Sequence, residues 1–230
     1  MTPDDHEFSD AELKDLIQTT RRKLKEQIVA CAAGVPGSVP GTSAESTPPV
    51  GPTAAASPPP VEPTSTTEPA AAMAPAPVLS EAAERRVAIG ADHGGYELKL
   101  RLVELLRELD YEPLDMGVHG PESVDYPDYA VKVARAVARG EAWRGIMIDG
   151  AGIGSAMAAN KVPGVLAATC HNEATVVNSR EHNDANVLVL GSGQVNRGLA
   201  RRMVRIWLQT PFGGGRHQRR VDKIRSLDRP

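Results

Sequence analysis

The sequence predicts an α/β fold: a doubly wound, Rossmann-like sheet of five parallel strands with helices on both faces. Two observations support this prediction. Five short apolar runs, typical of buried strands, alternate with segments whose apolar residues recur at helical spacing. Polar clusters follow several of these runs, and ligands of doubly wound sheets bind at the carboxyl ends of the strands.

The alternating elements occupy a folded domain assigned to residues 81–230. Strands are expected at 86–91, 111–116, 145–149, 164–170 and 185–191. Helices are expected at 95–109, 126–139, from about 153, 172–180 and 195–209. In the first two helices, the residues expected to face the sheet are Leu98, Leu102, Leu105, Leu106 and Leu109, then Ala130, Val133, Ala134 and Val137.

Two further segments precede this domain. Residues 1–33 are predicted to form an amphipathic helix, because Ser9 and Glu12 have capping-box spacing and Phe8 can pack on Leu13 across the cap. The rest of its apolar stripe is Leu16, Ile17, Leu24 and Ile28. Residues 34–80 are rich in Pro, Ala, Ser and Thr without an apolar period, so we expect a disordered linker.

Composition excludes several classes of protein. The formal net charge of -3, with both signs mixed, gives no electrostatic reason to bind nucleic acid or an acidic membrane. Cys31 and Cys170 are too few for a metal-ligand set or a disulfide framework. No apolar run has membrane-spanning length, and the acidic start does not resemble a signal peptide. We therefore expect a cytoplasmic protein with neither nucleic-acid nor membrane partners.

Two glycine-containing motifs are candidates for a binding site. "GADHGG" places Asp92 and His93 before a helix whose amide groups favour an anion, although Asp92 acting only as a helix cap is the alternative. In "DGAGIGS", Gly150, Gly152 and Gly154 let backbone amides converge on a ligand oxygen or a developing oxyanion. Tight packing between strand and helix also explains that spacing.

Two further motifs lie closer to the C terminus. His182 and Asn183 precede the last strand within "SREHNDAN", where a satisfied surface histidine is the alternative to a catalyst. Arg216 and Arg220 are four residues apart, so on a helix they can hold one phosphate together, although such a cluster is usually a solvated face.

Five motifs together resemble, in order and spacing, a family of sugar-phosphate isomerases: "DHGGYELK", "VDYPDYA", "GAGIG…AANKVPG", "REHNDANVL" and "GGRHQRRVDKI". That family includes ribose-5-phosphate isomerase B and the galactose-6-phosphate isomerase subunits, and the resemblance covers roughly residues 86–225. It implies an aldose–ketose isomerase that uses no metal or cofactor. It also implies a homodimer, or dimers paired into a tetramer, with active sites shared between subunits.

The resemblance implies roles for individual residues. The phosphate ligands would be His93, Arg216 and Arg220. The groups around the sugar would be Asp92, Tyr126, Asn183 and the amides of Gly150, Gly152 and Gly154, with the three glycine amides stabilising the enediolate. His182 would assist ring opening.

The centre of proton transfer departs from the family pattern. Many members carry a cysteine base where this chain has Asp149, and others a glutamate where it has Ser155. A hydroxyl residue and an arginine that are frequent in the family are replaced by Ala151 and Gly193. We predict that Asp149 shuttles the proton; the alternative is that it binds a hydroxyl while another group is the base. Because these positions depart from the family pattern, the sugar can differ from ribose 5-phosphate.

The N-terminal helix and linker resemble the encapsulation peptides of bacterial microcompartment cargo. The apolar stripe within residues 9–31 must bury against something, and a shell or cargo protein would serve. Self-association into a coiled coil and a plain solubility tail are the alternatives. We expect the enzyme to be packaged in a microcompartment through this helix.

Three functions follow from these patterns. The first is interconversion of ribose 5-phosphate and ribulose 5-phosphate through an enediolate, or of another pentose or hexose phosphate. The second is a catalytically silent sugar-phosphate-binding or scaffold protein, against which the retained His182 and Asn183 argue. The third is a nucleotide-binding module, disfavoured because the glycine turn matches neither the dinucleotide fingerprint nor a P-loop.

Overall fold

A computed structural model of the protein describes residues 9–32 and 83–228. The strands in this part of the chain are β1 (Arg86–Ala91), β2 (Glu112–Asp115), β3 (Arg144–Asp149), β4 (Ala167–Thr169) and β5 (Val187–Gly191). They form one sheet in the order β2-β1-β3-β5-β4, with every neighbouring pair parallel. The predicted five-stranded parallel sheet is therefore confirmed, while the predicted linker lies outside the described residues.

Seven α-helices accompany the sheet in the described ranges. They are α1 (Asp10–Ala32), α2 (Tyr96–Glu108), α3 (Tyr126–Ala138), α4 (Ile153–Ala159), α5 (Glu173–Glu181), α6 (Arg197–Gln209) and α7 (Gln218–Arg225). Two three-residue 3₁₀ turns occur at Ala83–Arg85 and Gly215–His217. None of the described helices is both long and apolar enough to cross a bilayer.

Both faces of the sheet are covered because alternate strand residues point to opposite sides. In β1, Val87 and Ile89 join the apolar cluster that includes residues of α2, α5 and α6, whereas Ala88 joins the cluster that includes residues of α3 and α4. The same alternation separates Ile146 from Met147 in β3. These near-continuous apolar runs are the pattern expected of a parallel sheet buried on both faces, and they confirm the doubly wound architecture.

The predicted inward faces of the first two long helices are correct, and three strands, β2, β4 and β5, are shorter than predicted. Leu102, Leu105 and Leu106 are fully buried in α2, and the four predicted residues of α3 are buried too. The predicted strand at 164–170 contracts to Ala167–Thr169. This strand is the edge of the sheet, where the side chain of Asn160 bonds both backbone groups of Ala167 at 2.8 and 2.9 Å. The side chain thus takes the place of a neighbouring strand.

Helix α1 has the predicted capping box and a partner that the sequence did not indicate. Ser9 N–H donates to Glu12 Oε2 at 2.8 Å, while Glu12 N–H donates to Ser9 Oγ at 3.4 Å. Phe8, the other half of the predicted staple, lies outside the described residues. The helix packs on α5, with Ile17 only 7% exposed within the main apolar cluster.

Candidate active site

Two acidic residues lie at the carboxyl edge of the sheet, where neighbouring strands end. Asp92 follows β1, and Asp149 is the last residue of β3. The two strands are adjacent, and Asp92 N–H donates to the carbonyl of Ile148 at 3.0 Å. Because β2 lies beyond β1 on one side and β5 beyond β3 on the other, the chain connections diverge here and open the crevice that ligands use in such folds.

Asp92 and His93 are both held by backbone amides. Asp92 is buried, and its Oδ1 accepts from Gly95 N–H at 2.9 Å, so it closes the turn that leads into α2 and does not cap the helix itself. His93 is exposed, and its Nδ1 accepts from Val124 N–H at 3.4 Å. An acceptor at Nδ1 leaves the proton of a neutral imidazole on Nε2, which can donate to an anion.

Asp149 is buried and is held by its own glycine turn. Its Oδ1 accepts from Ala151 N–H at 2.8 Å and, by a very short contact, from Gly152 N–H. Its Oδ2 accepts from Ser155 N–H at 3.3 Å. These donors stabilise the ionised carboxylate. The Gly152 amide, predicted to face the substrate together with those of Gly150 and Gly154, is thus engaged by Asp149 in this structure.

Space and an aromatic ring surround the glycine turn. A Cβ placed on Gly150 would meet nothing within 4 Å, so the turn has open space at this position. A Cβ on Gly154 would lie 2.5 Å from Cζ and Oη of Tyr126, so the tyrosine ring lies directly against the start of α4. Tyr126 is 40% exposed, so part of its ring faces solvent beside the turn.

Two serines at this edge were not predicted as site residues. Ser192 N–H donates to the carbonyl of Asp149 at 2.7 Å, and its Oγ donates to the carbonyl of Gly94 at 2.8 Å. It therefore ties the end of β5 to both turns; the only sequence signal was its place directly after a strand. Ser155 Oγ is buried and has no hydrogen-bond partner in the described part of the chain. The acidic group of this turn is therefore Asp149, because this chain has Ser155 where some members of the family that it resembles carry a glutamate.

A buried lysine also supports the carboxyl edge. Lys99 Nζ lies 2.7 Å from Asp115 Oδ1 and donates to the carbonyl of Val118 at 2.7 Å. Asp115 Oδ1 in turn accepts from Gly117 N–H at 2.9 Å. The lysine thereby fixes the chain that leaves β2 beside the end of β1. The sequence could have indicated this role, because Lys99 lies on the inward face of α2 between the predicted Leu98 and Leu102.

His182 and Asn183 lie in a second polar group, beyond the end of α5. Asn178 Oδ1 accepts from Asn183 Nδ2 at 3.0 Å, so the amide nitrogen of Asn178 faces Nδ1 of His182, also at 3.0 Å. In this arrangement Nδ1 accepts and Nε2 carries the proton of the neutral ring. The ring of His182 stacks on that of His217, with centroids 4.1 Å apart.

The two predicted phosphate arginines are close to this second group, but not on one α-helix. Arg216 lies in the 3₁₀ turn and Arg220 in the first turn of α7, and both are exposed. Arg216 Nε donates to Nε2 of His217 at 3.3 Å. Burial, followed by the charges of Arg216 and Arg220, lowers the pKa of His217 below its usual value. A neutral His217 can accept this bond and stack on His182.

Ion pairs around one carboxylate hold the second group in place. Asp184, in the left-handed region at φ 50°, bonds Arg180 at 2.9 Å and Arg225 at 2.7 Å. This carboxylate therefore joins α5 to α7 through the turn that carries His182. Burial lowers the pKa of Arg180, and Asp184 opposes that shift. Arg180 Nε also donates to the carbonyl of Thr210 at 3.3 Å, just before the turn that carries Arg216.

The two polar groups lie at opposite ends of the strands of one sheet. Asp92 and Asp149 are at the carboxyl ends of the strands, whereas His182 and Asn183 precede the amino end of β5. Five residues of extended strand separate these ends, a span of roughly 13 Å before the loops are added. One chain therefore brings Asp92, His93, Tyr126 and the glycine turn together, and separately brings His182, Asn183, Arg216 and Arg220 together.

Two further observations concern cavities and metals. A groove of about 1190 Å³ runs beside the edge strand β4; Asn183 lines it, but Asp149 does not. In the described ranges, no group of three or more His, Cys, Asp or Glu side chains is arranged to hold a metal ion.

Comparison with known proteins defines the class of this chain. The sequence pattern of the Ribose/Galactose Isomerase family matches residues 87–224. Ribose-5-phosphate isomerase B of Escherichia coli is 44% identical over 144 residues, which cover 63% of this chain and 97% of that protein. Ribose-5-P isomerase B of Listeria innocua is 40% identical over 143 residues, covering 62% and 97%.

Solved structures agree with the sequence matches. Ribose-5-phosphate isomerase B of Clostridium thermocellum has a TM-score of 0.61 and 52% identity, covering 62% of this chain and 96% of that one. Type B ribose 5-phosphate isomerase of Trypanosoma brucei has a TM-score of 0.61 and 48% identity, covering 63% and 99%. The protein is thus an α/β enzyme of the sugar-phosphate isomerase class. The chain belongs to the ribose/galactose isomerase family.

Proposed function

We propose that this enzyme interconverts ribose 5-phosphate and ribulose 5-phosphate by proton transfer through an enediolate. The observation that carries this proposal is a buried carboxylate, Asp149, at the strand-end crevice beside Asp92 and a glycine turn. Two relatives that this chain matches over nearly their whole length are named ribose-5-phosphate isomerase B. We assign phosphate binding to His93, Arg216 and Arg220, and the sugar hydroxyls to Asp92, Tyr126 and Asn183.

Asp149 acts as the base in this proposal. Its carboxylate takes the proton from the carbon next to the aldehyde, and the electrons of that C–H bond form the carbon–carbon double bond of the enediolate. The aldehyde oxygen receives the displaced charge and then a proton, which balances the proton that the neighbouring hydroxyl loses. Asp149 returns its proton to the former aldehyde carbon while the neighbouring hydroxyl loses its own, which gives the ketose. No redox partner is needed, since one carbon is oxidised as its neighbour is reduced.

The amides that hold Asp149 link its protonation to the charge on the substrate. As the carboxylate gains a proton, it becomes a poorer acceptor for the N–H groups of Ala151 and Gly152. The substrate oxygen becomes an oxyanion at the same moment. We propose that these N–H groups then donate to the substrate oxyanion and no longer to Asp149. Their hydrogen bonds to the enediolate therefore strengthen as Asp149 becomes protonated.

His182 opens the sugar ring in this proposal, and a second chain is needed to bring it to Asp149. Its Nε2–H can protonate the ring oxygen, because Asn178 occupies Nδ1. Since the two polar groups lie at opposite ends of the strands of one sheet, we infer a homodimer in which the Asp149 group of one chain meets the His182 group of its partner.

A panel of aldose phosphates tests the reaction and the sugar together. We expect ketose formation fastest with ribose 5-phosphate; a faster hexose or different pentose phosphate would move the assignment to that sugar. Replacing Asp149 by Asn should lower kcat by roughly 10²–10⁴-fold, because an amide is not a base. It should also lower the free energy of unfolding by about 1–3 kcal/mol, because Asn has only one acceptor oxygen for the amides that now bond both carboxylate oxygens. Bound sugar phosphate without turnover of any aldose phosphate would instead indicate a silent binding protein.

We further propose that α1 directs the enzyme to a bacterial microcompartment, through a shell or cargo protein. The 23-residue capped helix lies outside the region matched by the family. Eight of its described side chains are exposed to solvent. Deleting residues 1–33 should abolish co-purification with shells and leave kcat unchanged. Equal co-purification of the truncated and full-length proteins would refute this targeting role.

A further inference from the structure

Helix α1 is in contact with the isomerase domain through a small patch of its surface. Ile17 is buried within the main apolar cluster, and Leu16 packs against that cluster. One turn after Ile17, Arg21 Nε forms an ion pair with Glu181 Oε2 at 2.8 Å. The α5 surface thus receives a helix that presents an apolar pair followed by a cation.

The docked helix lies beside the turn that carries His182. Glu181, the partner of Arg21, directly precedes His182, and its carbonyl accepts from Gly213 N–H at 2.9 Å. Leu16, Thr20 and Lys23 also line the groove that Asn183 lines. The contact is therefore made with the segment that positions the second polar group.

Within the described side chains of α1, the contact with the domain is small. Among the helix's described side chains, only Ile17 is buried, and those exposed are Ala11, Glu12, Lys14, Asp15, Gln18, Arg22, Lys23 and Glu26. Burying one isoleucine shifts an equilibrium by roughly ten- to a hundredfold. A partly exposed ion pair adds roughly fivefold or less. Occupancy in cis then depends on the covalent connection, which supplies an effective concentration on the order of 1 mM.

We propose that the α5 surface around Glu181 is a docking site for the chain's own α1, and that this contact is a reversible latch. The latch covers the Leu16–Ile17 face, so any protein that captures this helix must displace it from α5. Such a competitor needs an apolar pocket beside a carboxylate, as α5 has. Docking itself does not depend on the proposed isomerase reaction.

Hydrogen exchange of the full-length protein tests the latch, because most of the stability of a protein helix comes from tertiary packing, so α1 amides are protected mainly while the helix is docked. Arg21→Glu should lower protection of the α1 amides roughly three- to tenfold, since an attraction becomes a repulsion. Arg22→Glu is the matched control: it makes the same charge change at the next, exposed position and should stay within about twofold of wild type.

Charge reversal on both sides separates a specific contact from a change in helix propensity. Glu181→Arg alone should also lower α1 protection, and combining it with Arg21→Glu should restore most of the loss. Equal effects of Arg21→Glu and Arg22→Glu, or no recovery in the double variant, would overturn the proposal. Neither measurement uses turnover, so an inactive enzyme would leave the test intact.

Reversibility is tested with a synthetic peptide of residues 9–32. Added at a few millimolar, comparable to the effective concentration of the tethered helix, it should compete for α5 and lower protection of the protein's own α1 by severalfold. The same peptide with Arg21→Glu should compete less. Unchanged protection with both peptides would show that α1 is a fixed part of the domain and would overturn the latch.

Discussion

Gly95 has a specific steric role between α2 and the central strand β3. Its backbone, at φ -95° and ψ -6°, is accessible to any residue, so alanine adds no backbone strain. An added Cβ would, however, lie 2.7 Å from both the carbonyl carbon and Cγ2 of Ile148, and closer still to the carbonyl oxygen. Because β3 is the middle strand and buried, α2 must move outward by several tenths of an ångström or more.

We therefore expect Gly95→Ala to lower the free energy of unfolding by about 1–3 kcal/mol, the usual cost of overpacking a core. For a chain of this size that corresponds to a fall in Tm of about 3–10 °C. Urea and thermal unfolding measure both quantities. Gly94→Ala is the control, since its Cβ approaches nothing closer than Asp92 Oδ1 at 3.3 Å and should cost less than about 0.5 kcal/mol. Equal stability of the two variants would refute this reasoning.

Three other predictions concern single side chains. Gly154→Ala should displace the exposed Tyr126 ring and raise KM severalfold without lowering Tm by more than about 2 °C; unchanged KM would contradict a pocket role. Arg220→Gln should raise the pKa of His217 in an NMR titration, since that charge helps to lower it; a lower midpoint would contradict this. Burial raises the pKa of Cys170 to about 11, so iodoacetamide at pH 8 should alkylate it roughly 100-fold more slowly than an unfolded thiol.

The sheet was predictable because its strands are local patterns. Val87 to Ala91 and Val187 to Leu190 are apolar on both faces, which only a covered parallel sheet explains. β4 was predicted too long because, before Ala167, the side chain of Asn186 bonds Leu166 N–H and the carbonyl of Gly164, each at 2.8 Å, in place of a strand ladder. No periodicity within residues 164–170 contains that information.

The sequence indicated candidate residues for the site, but not their arrangement. Sequence order places His182 before a strand and Asp149 after one, yet the consequence, two groups at opposite ends of the strands, needs the sheet topology. The orientation of the turn amides toward Asp149 depends on backbone angles such as φ 79° at Gly152, which composition does not specify. The contact of α1 with Glu181 joins residues far apart in sequence and had no local signal.

Subunit complementation tests most directly the proposal that each active site combines Asp149 of one chain with His182 of its partner. Asp149→Asn and His182→Ala should each be inactive as homodimers, because every shared site then contains the defect. After the two variants are mixed and subunits exchange, a heterodimer has one doubly defective site and one intact site. With about half of the dimers mixed, we predict recovery of roughly a quarter of wild-type turnover. No recovery, in a mixture shown by mass spectrometry to contain heterodimers, would contradict a site built from Asp149 of one chain and His182 of its partner.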